Sequence, residues 1–278
     1  MKLGLSSLLF VRNTIEEAIR INSELGAECV EIIYDVPHFP PNYDLRKLAS
    51  IKELLGSYGL GVSVHGSFWD LNPASHHRKL WELSLEQMRK SIDACRMLGG
   101  EITVVHFGKC PVPEALELLK GSKERYREFI TQCLVYARDR GVTIGFENAG
   151  RDPRSYPSDV EELKFLLYDL EGAKMTFDVG HAHLAARRAG GKATGFVIAG
   201  QIKEMRKHIA HVHVHDNHGK TDDHLPPGDG EIDFRPIVDA IKDIGYNGLL
   251  IAELWNPKKI FETGKRGLEK LKRLFRIT

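Results

Sequence analysis

The sequence contains few cysteines, no long apolar run and no excess of charge of either sign. Its four cysteines form no C-x-x-C pair in 278 residues, which favours reduced thiols over a disulfide framework. No apolar stretch approaches the roughly 20 residues that a membrane span requires, and no N-terminal signal region is visible. The formal net charge of +1 provides no global electrostatic basis for binding nucleic acid. We therefore expect a cytoplasmic globular protein with no membrane partner.

The segment after the first apolar run, SSLLFVRN at residues 6–13, lacks the glycine-rich turn that binds phosphate in open, doubly wound sheets. What the chain does contain is a regular alternation of short, β-branched apolar runs with longer amphipathic segments, whose leucine stripes, such as residues 116–119, are predicted core. The runs lie at residues 2–6, 29–34, 60–65, 101–106, 142–147, 174–178, 209–215 and 248–253. Eight strands that each precede a helix predict an α/β fold, a (β/α)8 TIM barrel forming one domain over residues 1–278.

Six of these runs end on or near a residue that can bind a metal ion. Successive members lie about one strand–helix unit apart, and in chain order they are His65, His106, Glu147, Asp178, His213 and Glu253. Because the carboxyl ends of barrel strands converge on one mouth, we expect these side chains to lie close together. Buried charges are costly unless they are paired or bound to a metal, so the set predicts a metal site.

Three further candidate ligands lie close to these strand ends. His181 follows Asp178 by three residues in FDVGH, and Asp222 and His224 form a D-x-H pair after the seventh strand. With Glu147 bridging, the candidates divide into three ligand sets: first His65, His106 and Glu147; second Glu147, Asp178, His213 and Glu253; third His181, Asp222 and His224. The mixture of imidazole and carboxylate favours Zn²⁺ or Mn²⁺, with Co²⁺ also suited, and the three sets allow one to three ions.

Polar residues beside the candidate ligands are expected to support them. Asn148 and Asp216 adjoin ligands in the sequence and can orient them, and Asn148 is also a candidate substrate contact. His211 and His215 share a strand face with His213, but one lies deeper in the barrel and the other beyond it. We interpret both as structural or supporting residues.

The chain resembles the xylose isomerase-like TIM barrels, a superfamily that joins sugar phosphate isomerases and epimerases with endonuclease IV, of AP endonuclease family 2. The stretches that carry the resemblance, in the family's order, are VHGSFWDLNPAS, VVHFGK, GFENAG, TFDVGHAH, HVHVHDN, DDHLPPGDGEIDF and AELWNP. In the endonuclease IV branch the resemblance implies a trinuclear zinc site held by all nine candidate ligands. In the sugar isomerase branch it implies one divalent metal held by the second set.

For an isomerase or epimerase, the resemblance implies that Glu147 and Glu253 transfer a proton between adjacent sugar carbons across the metal. His181 would contact a substrate oxygen. Phe68 and Trp69, which follow the ligand of the third strand, could cap a sugar ring or stack on a base. The substrate would be a small sugar or sugar phosphate.

The alternative function is a zinc phosphodiesterase that cleaves DNA at abasic sites, which would give the D-x-H pair the task of holding phosphate. The loop IIYDVPHFPPNYD at residues 32–44 lacks the Asn-Pro-Arg-type segment with which endonuclease IV enters DNA. Basic residues near the expected mouth are scattered: Lys109, Arg151, Arg154 and Lys220. We therefore favour the sugar reaction. A non-catalytic metal-binding barrel is a third possibility, and the oligomeric state stays open.

Overall fold

Eight parallel strands close into a barrel in the computed structural model, which describes residues 1–275. The strands are β1 (Lys2–Ser6), β2 (Cys29–Ile33), β3 (Gly61–His65), β4 (Ile102–Val105), β5 (Thr143–Glu147), β6 (Lys174–Asp178), β7 (Ile209–Val214) and β8 (Leu249–Ala252). Strands that are neighbours in the chain are neighbours in the sheet, and β1 also pairs with β8, which closes the barrel. The predicted TIM barrel is confirmed.

Helices follow the strands around the outside. They are α1 (Ile15–Glu24), α2 (Leu48–Ser57), α3 (Arg78–Leu98), α4 (Leu116–Arg138), α5 (Val160–Tyr168), α6 (Val179–Arg188), α7 (Thr194–Glu204), α8 (Phe234–Asp243) and α9 (Ile260–Phe275). Capping chemistry sets some of their starts: at α1, Thr14 and Glu17 form a reciprocal capping box. Two helices, α6 and α7, separate β6 from β7, where the sequence pattern indicated a single strand–helix unit and so only one helix.

The strand ends fall within a residue or two of their predicted positions. β4 ends at Val105 and β8 at Ala252, so His106 and Glu253 lie just beyond their strands, while β7 continues one residue past His213. β6 ends at Asp178, and α6 begins at the next residue. This abrupt change from strand to helix brings the first turn of α6 to the mouth.

The apolar core fills the space between the barrel and its helices, and the inside of the barrel also contains buried polar side chains. Glu31, Ser63, His211 and His213, from β2, β3 and β7, are all inaccessible to solvent. A carboxylate buried in a strand needs hydrogen-bond donors around it, and these neighbours are such donors.

The prediction that residues 116–119 are core is wrong for the start of α4. Leu116 and Leu118 are 76% and 39% exposed, respectively. The first turns of this helix lie beside an open hollow that Leu118 helps to line, so the leucines have no packing surface there.

Two short strands outside the barrel, Gly108–Lys109 and Ser155–Tyr156, pair in an antiparallel ladder beside the mouth. The four cysteines are buried and unpaired, as expected of reduced thiols. Within residues 1–275, no helix combines the length and the apolar character needed to cross a bilayer.

Candidate metal centre at the mouth of the barrel

One group of four side chains brings together the second predicted ligand set. Ligand atoms of Glu147, Asp178, His213 and Glu253 all lie within 4.8 Å of one another, and all four residues are buried. Asp178 and His213 are register partners on β6 and β7, which places their side chains side by side. His213 Nδ1 lies 3.2 Å from Glu147 Oε1, 3.7 Å from Asp178 Oδ2 and 3.8 Å from Glu253 Oε2. We name these four residues the primary group.

The primary group fits a divalent cation. It surrounds one imidazole nitrogen with three carboxylates, a mixed nitrogen and oxygen set that suits Mn²⁺, Zn²⁺ or Co²⁺. Glu147 Oε2 and Asp178 Oδ2 are buried and have no hydrogen-bond partner among the described residues. Unsatisfied buried carboxylate oxygens cost several kcal/mol, and a bound cation would satisfy them.

Without a cation, protons partly balance the carboxylate charge of the primary group. Burial alone would raise the pKa of Glu147, but the hydrogen bond with His213 and the neighbouring imidazole of His65 lower it well below its usual range. Burial alone would lower the pKa of His213, but the charges of Glu31 and Glu253 raise it well above its usual range. A metal that binds here must therefore displace protons from imidazoles.

A second group of potential ligands adjoins the first and extends the third predicted set by one histidine. It contains His181, His215, Asp222 and His224. His181 Nε2 and His224 Nε2 lie 2.9 and 3.1 Å from the same oxygen, Asp222 Oδ2. We name these four residues the secondary group.

His215 was expected to be a supporting residue, yet its ring lies among the candidate ligands. Its Nε2 lies 3.1 Å from Asp178 Oδ1 and 3.7 Å from Asp222 Oδ1, so it links the two groups. Neither ring nitrogen of His215 has a hydrogen-bond partner in the described part of the chain, and the residue is fully buried. The ring stacks on that of His224, with centroids 4.1 Å apart.

The first predicted set is not gathered in the same way. His65 Nε2 lies 3.6 Å from Glu147 Oε2, and although burial opposes it, the interaction with Glu147 raises the pKa of His65 to about 9. The His106 ring instead stacks on Phe68, with a centroid distance of 4.9 Å, and lies tilted against Phe107 at 3.8 Å. Burial lowers the pKa of His106 to about 3, so its ring is neutral. Among residues 1–275, these three predicted ligands form no common group with atoms within 4.8 Å.

A cavity of about 330 Å³ opens over the two groups. It is lined by Leu8, His65, Phe68, Trp69, His106, Glu147, His181, Asp222, His224, Glu253 and Trp255. Phe68 and Trp69, the predicted aromatic substrate contacts, line this cavity together with Trp255, an aromatic residue just after β8 that sequence reasoning missed. A larger hollow of about 660 Å³ lies beside the short strands but contains none of the primary or secondary ligands. The smaller cavity is the better candidate site because the ligands line it.

Asn148 is placed as an orienting residue. Its amide accepts a hydrogen bond from the backbone N of Asp178 at 2.9 Å and donates one to the backbone O of Asp178 at 3.0 Å. It is fully buried and does not line the mouth cavity. Asp216 is similarly engaged by backbone groups of the loop after β7, accepting from Gly228 N and Ile232 N.

Sequence reasoning missed Glu31. This glutamate contacts His211 and His213 inside the barrel, and ligand atoms of the three lie within 4.8 Å of one another. The available signal was a single acidic residue within the apolar run CVEIIY, since a strand buried on both sides seldom carries a charge there. Glu31 lies in the middle of β2, where the convergence of strand ends at the mouth predicts nothing.

The comparisons with known proteins agree with this fold. A family model described as the xylose isomerase-like TIM barrel matches residues 19–274. An uncharacterized protein of Methanocaldococcus jannaschii is 30% identical over 260 residues, which cover 91% of this chain and 83% of the relative. The fructoselysine 3-epimerase of Shigella flexneri is 22% identical over 265 residues, covering 91% of this chain and 90% of that enzyme.

A solved structure of a D-tagatose 3-epimerase-like protein is similar over nearly the whole length. It superposes with a TM-score of 0.83 at 27% identity, covering 99% of this chain and 98% of its own. Sugar epimerases and isomerases thus recur among the proteins that this chain resembles. The chain belongs to the xylose isomerase-like TIM barrel family.

Proposed function

We propose that this protein is a divalent-metal-dependent epimerase or isomerase of a small sugar or sugar phosphate. The observation that carries the proposal is the placement of two glutamates, Glu147 and Glu253, in the primary group and in the wall of the same cavity. A reaction that moves a carbon-bound proton needs a carboxylate at hand to remove it and an acid to return it. Two glutamates at one small cavity supply both.

The proposed roles follow from these positions. A metal bound by the primary group would polarise a carbonyl oxygen and the neighbouring hydroxyl of the substrate. Glu147 and Glu253 then remove and return the proton on the adjacent carbon. His181 lines the same cavity and would donate its Nε2–H to a substrate oxygen in exchange for its contact with Asp222, because its Nδ1 is held by the backbone O of Asn148 at 3.0 Å. Because it binds Asp222 Oδ2 at 2.9 Å, its ring is already oriented.

The size and lining of the cavity favour a small polar substrate over a DNA duplex. A volume of about 330 Å³ is at the low end of the range of small-molecule sites. Phe68, Trp69 and Trp255 provide apolar surfaces that can cover the faces of a sugar ring. None of the described residues that line the cavity is a lysine or an arginine, the groups that dominate binding of nucleic-acid phosphates.

A second candidate function is hydrolysis of a phosphodiester at an abasic site, which the secondary group favours. An epimerase with one metal has less use for Asp222 and His224, whereas a phosphodiesterase can use further cations to hold phosphate and activate water. In that reaction more than one Zn²⁺ per chain is expected, and His224 would be essential. A barrel that binds metal without catalysis would react with neither substrate.

The test compares both reactions on the same protein preparations. Metal-free protein is reloaded with Mn²⁺, Zn²⁺ or Co²⁺ and incubated with free ketoses, ketose phosphates and an abasic DNA duplex. We expect interconversion of a ketose, lost by about 10²-fold or more in Glu147→Gln and in Glu253→Gln. Glu262→Gln is the matched control, because Glu262 is an exposed glutamate of α9 that belongs to neither ligand group and does not line the mouth cavity.

The opposite pattern would reject the proposal. Nicking of the duplex that is abolished by both Glu147→Ala and His224→Ala, with no sugar reacting, would assign the phosphodiesterase reaction instead. Metal binding without either reaction would leave the non-catalytic barrel.

A further inference from the structure

We infer that Glu31 is a positioning residue for the metal centre: it accepts the Nε2–H of His213 and so directs the Nδ1 lone pair of that imidazole toward the primary group. The inference rests on the metal centre of the proposed function, but it concerns metal binding rather than turnover. Glu31 belongs to β2, whereas the four ligands of the primary group come from β5, β6, β7 and the residue after β8.

The carboxylate of Glu31 reaches His213 through the interior of the barrel. His213 Nε2 lies 3.0 Å from Oε1 of Glu31 and 3.2 Å from Oε2. His211 Nε2 donates to Oε2 at 2.8 Å, and Ser63 Oγ donates to the same oxygen at 3.1 Å. Ser63 is the register partner of Glu31 on the neighbouring strand, so the two side chains share the interior face. All four residues are inaccessible to solvent.

The two nitrogens of His213 face different partners. Nε2 faces Glu31, and Nδ1 faces the carboxylates of Glu147, Asp178 and Glu253. An ionised carboxylate can only accept hydrogen bonds, so the Nε2 that faces Glu31 must carry a proton. A neutral imidazole with its proton on Nε2 has its lone pair on Nδ1. Glu31, on one side of the His213 ring, therefore makes Nδ1, on the other side, the atom that can bind the metal.

The same arrangement explains a charge buried deep in the barrel. An isolated carboxylate there would be strongly destabilising. Here it receives hydrogen bonds from two imidazoles and one hydroxyl, and its negative charge increases the basicity of the metal-binding nitrogen. Carboxylates that hold the remote N–H of a metal-bound histidine act in this way in other metal sites.

Glu31, His211 and His213 are also close enough to hold a cation themselves. We favour the positioning role because a cation there would need the Nε2 lone pair of His213, and the primary group needs its Nδ1. His211 Nδ1, the remaining nitrogen of the triad, has no hydrogen-bond partner among the described residues. The metal content of variants decides whether Glu31, His211 and His213 hold a cation or only position His213.

The first experiment measures the affinity and visible absorption of Co²⁺ in chelator-competition titrations of the full chain. Glu31→Gln keeps the size of the side chain but replaces one acceptor oxygen by an NH₂ donor. The new NH₂ group must face either His211 or His213, where it meets the Nε2–H, so that two donors face each other and one hydrogen bond is lost. We expect Co²⁺ affinity to fall by about 10- to 100-fold and the d–d spectrum of the remaining complex to change.

Two variants control for a loss of packing alone. Ser63→Ala removes a donor to Glu31 while leaving the contact between Glu31 and His213, and we expect a smaller loss of Co²⁺ affinity than in Glu31→Gln. Glu31→Asp keeps the carboxylate, and we expect a smaller loss than in Glu31→Gln. If all three variants lose affinity equally, or Glu31→Gln binds Co²⁺ normally with an unchanged spectrum, the positioning role is rejected.

The second experiment begins with a measurement on the unaltered protein, which does not depend on any variant folding. Nitrogen NMR of ¹⁵N-histidine-labelled protein loaded with Zn²⁺ reports which ring nitrogen of His213 carries hydrogen. We expect a protonated Nε2 and a metal-bound Nδ1, and the reverse assignment would overturn the inference. A bound Zn²⁺ that is lost only in His211→Gln would instead assign the triad as a cation site. Suppose that the parent chain binds Co²⁺, that Glu31→Gln binds it more weakly, and that the parent converts no sugar. This result would reject the proposed function but leave this inference standing.

Discussion

Asp178 connects the candidate metal centre to the helix that follows it. Its Oδ1 accepts a hydrogen bond from the backbone N of His181 at 2.6 Å and so caps α6, while its Oδ2 faces His213 with no hydrogen bond of its own. An N-cap residue satisfies an otherwise unpaired donor of the first turn. The helix thus fixes the direction of the free carboxylate oxygen.

Two substitutions separate these roles of Asp178. Asn is as good an N-cap as Asp but is a weaker metal ligand, so Asp178→Asn is expected to lower Co²⁺ affinity by more than 10-fold while largely keeping the metal-free stability. Asp178→Ala also removes the cap and is expected to cost about 1 kcal/mol more in the free energy of unfolding. Urea unfolding of chelated protein and Co²⁺ titration measure the two effects. Equal stability of Asn and Ala variants would contradict the capping role.

The titration of His65 and His224 predicts how pH changes the stability of the metal-free protein. Burial opposes protonation in both, yet hydrogen bonds and charge from Glu147 and Asp222 respectively raise the pKa of each to about 9. The ordinary value is 6.5, so the folded state binds protons more tightly than the unfolded state. This stabilisation is complete below pH 6.5 and is lost as pH rises toward 9.

Urea unfolding in the presence of a chelator at several pH values between these limits tests this sign. We expect the free energy of unfolding to fall with rising pH, by up to about 3 kcal/mol for each histidine. His224→Gln should flatten part of the fall, whereas His77→Gln, at an exposed residue outside the mouth cavity, should not. Stability that rises over this range would show that the two imidazoles are not protonated in the folded state.

At the scale of single residues, the sequence predicts the candidate ligands at strand ends but not the interactions made deeper in the barrel. The spacing of Glu147, Asp178, His213 and Glu253 was sufficient to place them together, because every barrel strand ends at the same mouth. Glu31 could not be placed in this way, since its partners depend on which interior side chains face one another across the barrel. That depends on strand register, which a sequence pattern does not specify.

At the scale of elements, the first turn of α6, which carries His181, packs directly against the segment after β7 that carries the other three residues of the secondary group. A Cβ built on Gly180 would lie 2.0–2.4 Å from the ring atoms of His215, so only glycine allows the ring to occupy this position. The register of β6 and β7 brings the two segments together at Asp178 and His213. Glycine at this turn is therefore a requirement of the site rather than of the helix.

Gly180→Ala is expected to displace His215 and weaken the secondary group while sparing the primary one. The number of Zn²⁺ ions retained at a fixed chelator concentration should fall, and Co²⁺ binding by the primary group should persist. Gly200→Ala is the matched control, because a Cβ on this exposed glycine of α7 meets no atom within 4 Å. That control should be neutral or more stable by roughly 0.5–1 kcal/mol. Unchanged Zn²⁺ retention in Gly180→Ala would mean that His215 is not a ligand.

The elements that escaped prediction are those whose boundaries depend on neighbours. α4 begins at Leu116, yet Leu116 is mostly exposed, because a leucine pattern indicates a helix face without saying what covers it. The two-residue strands beside the mouth are too short to show any periodicity. The eight barrel strands were predictable because each is a distinct apolar run followed by a helix.

At the scale of the whole molecule, the ligands of the primary group join one half of the barrel. They come from three consecutive strands, β5, β6 and β7, and from the residue after β8, so a bound cation links four neighbouring positions of the closed sheet. In the unfolded chain these ligands are separated by tens of residues. A metal held by the primary group would therefore bind the folded state far more tightly than the unfolded state, and its binding would stabilise the barrel.

Metal removal is expected to lower the melting temperature. At a free metal concentration of 100 times the dissociation constant, binding contributes about 2.7 kcal/mol, which for a chain of this size corresponds to about 5 °C. Scanning calorimetry of Mn²⁺- or Zn²⁺-loaded protein, with and without chelator, measures the difference. Glu253→Gln, which removes a ligand at the edge of the primary group, should reduce the shift, and Glu262→Gln should preserve it. A melting temperature that does not respond to metal would show that the four side chains gather at the mouth without binding a cation there.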